Sequence, residues 1–169
     1  MGLIALTYWL GIMVVSGMTD WISLQAPSLA EFEELAAEAF RRLPARFRRL
    51  CEGVVVRVED FPDDETLREM GYDSPFDLLG LFRGVGLAQG GASLGTGQFP
   101  NMVWLYRRPI LDYWAEHEET LGSLVTHVLV HEIGHHFGLS DADMDAIEAA
   151  AEESRAEASQ VELGGAQAR

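Results

Sequence analysis

Residues Val128–Met144 read VLVHEIGHHFGLSDADM, and the fold turns on the spacing of the histidines within them. His131 and His135 stand four apart. On a helix of 3.6 residues per turn they lie on one side, a turn from each other. Two imidazoles so placed can grip one zinc ion at about 2.0–2.1 Å each. Glu132 is next to the first histidine and points in a neighbouring direction. It can therefore take a proton from a water at the metal without being a ligand, which is why H-E-x-x-H needs glutamate in second place.

Residue frequencies alone produce H-E-x-x-H in on the order of one chain in a hundred of this size. Two neighbouring features raise its meaning here. Leu121, Leu124, Val125, Val128, Leu129, Ile133 and Phe137 recur at three- and four-residue intervals, which predicts a helix with a broad buried face. Gly138 follows three residues after His135, where a positive-φ turn can end the helix and send the chain back. Doubling back carries Asp141 toward the metal as a third ligand. Asp141 also has a plainer reading, as an acid in the first turn of a new helix capped by Ser140 with Asp143. Spacing and glycine favour the ligand reading, which leaves Ser140 and Asp143 to carry the cap. His127, a turn before His131, is either a partner behind a ligand or a polar residue at the face edge. His136 either orients Glu132 or is structural, and His117 reads as surface.

The chain has 169 residues, the size of one domain, and its 48% hydrophobic content suffices for a core. A formal net charge of −15 argues against nucleic acid, which needs basic patches. Arg41, Arg42, Arg46, Arg48 and Arg49 are interleaved with apolar residues and read as a solvated helix face. The single cysteine, Cys51, excludes an intrachain disulfide, fits a reducing compartment and reads as a packing residue. The apolar opening MGLIALTYWLGIMVVSG has no basic residue in front and is shorter than the roughly 20 residues of a membrane span. The preferred reading starts translation at Met18 and places the protein in the cytoplasm without a membrane partner; a signal or an anchor is the alternative.

Ser28 and Glu31 form a capping box ahead of LAEFEELAAEAFRRL, a helix by its apolar spacing. A shorter helical segment follows Pro44 and ends near Gly53. VVVRVEDF predicts a strand stopped by Pro62, and DDETLREMGY a short helix or turn. DLLGLFRGVGLAQ reads as strand with a bend near Gly84 and Gly86. A glycine-rich loop, GGASLGTGQFP, leads to a second strong strand, NMVWLYRR. PILDYWAEH predicts a helix with proline at its first position. From Asp141 the chain is Ala- and Glu-rich and helical to about Ala158. There is no repeat and no second domain.

With HEIGHHFGLSDADM in view, the chain resembles the small bacterial zincin-like metallopeptidases, minimal zincins with the signature H-E-x-x-H-x-x-G-x-x-D. SLAEFEELAAEAFRRLP, VVVRVED, DLLGLFRGVGL and LYRRPILDYW are similar to that family's successive segments, so the resemblance spans roughly residues 28 to 148. It implies an α+β fold with a small twisted mixed sheet packed against an active-site helix. The domain would occupy 20–158, with 1–17 an apolar extension and 159–169 a flexible tail. It implies Zn2+ on His131, His135 and Asp141, with Glu132 as general base of a peptidase acting on a peptide or protein. By the same analogy substrate lies along a sheet edge, expected at GVGLAQ. Tyr106 or Tyr113 could help stabilise an oxyanion only if the fold brings one near. The alternative is a non-catalytic zinc- or peptide-binding module of the same fold.

Overall fold

The computed structural model describes residues 22–84 and 101–166. The apolar run before Met18 and the GVGLAQ segment from Val85 onward lie outside the described residues. Among the described residues six helices, one 3-10 turn and three strands follow in the order α1 (Leu29–Arg42), α2 (Ala45–Leu50), β1 (Val55–Glu59), α3 (Asp64–Met70), the turn Pro75–Asp77, β2 (Gly80–Arg83), β3 (Met102–Tyr106), α4 (Arg107–Glu116), α5 (Leu121–His136) and α6 (Asp141–Ala166). The architecture is α+β, as expected.

The capping box forms at α1. Ser28 Oγ accepts from Glu31 N, and Glu31 Oε2 accepts from Ser28 N. This satisfies two of the backbone donors that a helix start leaves without partners. α3 is capped by Asp63 and closed by Gly71 at φ 75°. β3 differs from expectation at its end: it stops at Tyr106, and Arg107 and Arg108 already belong to α4. Pro109 is thus the third helical residue, not the first. Its missing N–H falls among the four donors without partners at any helix start, so the helix tolerates it. α6 runs to Ala166, past the end expected near Ala158.

The sheet order is β1-β3-β2, with β3 central, parallel to β1 and antiparallel to β2. Alternation assigns its faces. Val56 and Val58 pair with Val103 and Leu105, and these residues join the main core. α1 and α5 cover that side, and α6 packs behind α5. Phe32, Phe47, Leu43, Leu105, Ile110, Leu124, Leu129, Ile133 and Met144 are the largest side chains shut off from solvent there. Leu78, Leu81 and Tyr106, with Trp104 against them, form a smaller cluster. Arg107 ties the chain ahead of α1 to the end of β1, donating to Asp60 Oδ1 and to the Pro27 carbonyl at 2.7 Å each.

Cys51 is a buried core residue whose thiol donates to the Phe47 carbonyl, and burial pushes its pKa up to about 12. Thiolate is the reactive form. A thiol reagent at pH 8 is therefore expected to leave native Cys51 untouched and to label it once urea unfolds the chain. Prompt labelling of the native protein would show that the packing role is wrong.

Candidate metal centre

α5 is entered through Thr120, whose hydroxyl accepts from Ser123 N, and is left through Phe137 and Gly138. Gly138 has φ 71°, with its N–H donating to the His135 carbonyl and the Leu139 N–H to the Gly134 carbonyl. This pair of bonds is the Schellman closure, and it needs a left-handed residue where Gly138 stands. The chain turns back as expected. Ser140 and Asp143 then form the cap of α6: Asp143 N donates to Ser140 Oγ, and Asp143 Oδ2 accepts from Ser140 N and Oγ. Asp141 takes no part in that cap.

α6 runs antiparallel to α5. Met144 lies against Gly134, Glu148 reaches His127 and His131, Glu152 reaches Ser123, and Arg155 reaches Thr120. The two helices come close at Gly134, where a Cβ would meet Met144 Cγ at 2.8 Å. A glycine inside the signature thus lets α6 sit down on α5.

The histidines form a ladder. His127 and His131 have ring centroids 4.1 Å apart, and His131 and His135 5.5 Å. His135 and Asp141 are exposed, while His131 and Glu132 are partly buried. Among the described residues, His127, His131 and Glu148 bring three donor atoms within 4.8 Å of one another. Glu148 Oε2 accepts from His127 Nδ1 at 3.1 Å, and Glu148 Oε1 stands 3.1 Å from His131 Nε2. Those last two atoms are buried, yet neither makes a hydrogen bond. His135 and Asp141 lie outside this group, though both are within electrostatic reach of His131.

Glu132 points the other way, toward the sheet. Its Oε2 accepts from the Phe82 N–H of β2 at 3.1 Å. The strand can come so near because of Gly80, where a Cβ would meet Val128 Cγ1 at 2.7 Å and Glu132 Cγ at 3.0 Å. Burial raises the Glu132 pKa, against the Phe82 N–H and the nearby His135, which lower it. Burial first, and then His127, lower the His131 pKa, while the Glu148 hydrogen bond raises that of His127.

His136 stacks on Phe82 with ring centroids 3.7 Å apart, and its Nε2 makes no hydrogen bond, so it does not orient Glu132 that way. His117 stacks on Tyr113 at the surface. Tyr106 is buried in the smaller cluster, and neither it nor Tyr113 hydrogen-bonds to α5. Two residues of the centre escaped sequence reasoning. Glu148 is one glutamate among many on α6, and Gly80 reads as an ordinary strand glycine.

The donors suit a zinc ion. They are imidazoles and carboxylates, and donors on one tetrahedral zinc at about 2.0–2.1 Å stand about 3.3 Å apart. The 3.1 Å between the unpaired His131 Nε2 and Glu148 Oε1 is close to that separation.

A family model described as zincin-like metallopeptidase matches residues 51–151, from Cys51 through the sheet and α5 into α6. No curated protein matches the chain. Among the described residues no helix is long and apolar enough to cross a membrane.

Proposed function

The chain belongs to the zincin-like metallopeptidase family, and on that premise we propose that it hydrolyses peptide bonds with zinc held by His131, His135 and Asp141 and with Glu132 as general base. The observation that carries the reading is the division of labour on α5. His127 and His131 face Glu148 of α6, while the neighbouring Glu132 is turned to the edge of the sheet and held there by Phe82 N–H. Zinc, when bound, supplies a Lewis acid that makes a water acidic and polarises a carbonyl. Glu132 receives the water's proton and delivers it to the leaving amine.

Among the described residues β2 is an edge strand, and its Phe82 N–H is directed at Glu132. An extended peptide pairing there would bring its backbone to the base. Intact Glu132 also weighs against a non-catalytic module, because a structural zinc site has no use for a base. The acidic balance makes a nucleic-acid substrate unattractive.

The capping geometry makes the test sharp. Asp141 and Asp143 share one turn, but only Asp143 closes the cap. Asp141→Ala is expected to weaken zinc affinity by at least the roughly 10–100-fold that losing even a hydrogen-bond partner of a ligand costs. Asp143→Ala should leave zinc affinity within about twofold and instead cost on the order of 1 kcal/mol of stability, the worth of a cap. Elemental analysis and a competitive zinc titration measure the first, urea unfolding the second. Equal zinc affinities in the two variants would remove Asp141 from the ligand set.

A further inference from the structure

We propose that Glu148 is a further ligand of the same metal through Oε1, and that His127 is the positioning residue that holds its other oxygen. The inference rests on the reading above, in which the metal sits at His131. Asp141 and Glu148 are seven residues apart, two turns of helix, so α6 carries both carboxylates on the face it turns toward α5. Glu148 is brought there by the Gly134–Met144 approach one turn earlier.

The decisive geometry is at two atoms. His131 Nε2 and Glu148 Oε1 are both buried, lie 3.1 Å apart, and make no hydrogen bond to each other or to anything else. Buried, at ion-pair distance and outside hydrogen-bond geometry, the two atoms are placed as donors that converge on one cation. Glu148 Oε2, by contrast, is satisfied: it accepts from His127 Nδ1 at 3.1 Å. A carboxylate with one oxygen free for a metal and the other fixed by a histidine is how ligating carboxylates are commonly oriented. His127 therefore acts through Glu148, which explains a histidine on the ladder outside the H-E-x-x-H pair.

The assignment changes what the centre does at rest. His131, His135, Asp141 and Glu148 amount to four protein donors, the complement of a closed tetrahedral site, whereas catalysis needs one position for water. Peptide turnover then requires one carboxylate to give way.

The test uses the full chain loaded with cobalt(II), whose visible absorption reports coordination number and donor type. Glu148→Gln is expected to bind cobalt at least about tenfold more weakly, with weaker bands as a protein donor is replaced by water. His127→Ala should weaken binding by about 10–100-fold at most and leave the band positions in place, since it is no ligand. Should Glu148→Gln fail to fold by far-UV circular dichroism, Glu148→Asp keeps the charge but withdraws the oxygen by one methylene, and the same spectral change is expected. A wild-type spectrum and affinity in the folded Glu148 variant would overturn the proposal and leave Glu148 an ion-pair partner only. Failure of the wild type to take up cobalt or zinc would instead overturn the reading on which the proposal rests, and this one with it.

Discussion

Glu132→Gln is expected to abolish peptide hydrolysis while leaving fold and zinc content intact. Glutamine matches glutamate in size, and its amide oxygen can still accept from Phe82 N–H, so β2 and α5 keep their contact. What disappears is the ability to take up a proton. Loss of a general base typically slows a reaction about 10²–10⁴-fold, a large window against an active wild type. The assay calls for an unbiased peptide library with a chelator control that ties cleavage to the metal. Wild type and variant cleaving the same peptides at the same rate would mean that Glu132 is not the base. Should neither cleave any peptide while both hold zinc, the binding-module reading takes over.

His135→Ala is expected to strip the metal. His135 is exposed at the end of α5, outside the core, so the variant should fold like the wild type. Its ring stands 5.5 Å from that of His131, and one without the other leaves the ion with a single imidazole. Elemental analysis after dialysis against a weak chelator should give close to one zinc per chain for the wild type and nearly none for the variant. Zinc retained undiminished in His135→Ala would take this histidine out of the centre. The two experiments separate the roles of neighbouring residues on one helix: the first keeps zinc and loses chemistry, the second loses zinc.

Much of the fold was legible because it is written in local terms. The capping box of Ser28 and Glu31, the periodic apolar face of α5 and the positive φ of Gly138 each depend on residues within a few positions of one another. No breaker separates β3 from α4, so the sequence pattern points to Pro109 as the start of the helix, whereas it is the third helical residue. Gly80 carries no local mark of its role, which exists only because Val128 and Glu132 are packed over it. Glu148 is harder still. In an Ala- and Glu-rich helix every glutamate looks like a solvated one, and the one facing His131 is picked out by the register of α6 on α5. That register is set by Gly134 against Met144, a tertiary contact that no spacing rule announces.

The Phe82 N–H is a single donor with two claimants. Any extended chain that pairs with the outer edge of β2 at this position must take that hydrogen from Glu132, and Glu132 can reclaim it only when the chain departs. Seating a guest strand and unshackling the carboxylate are thus one exchange of one bond. Thermodynamic reciprocity then requires that whatever holds Glu132 on the strand weakens docking of the guest by the same factor that the guest loosens Glu132.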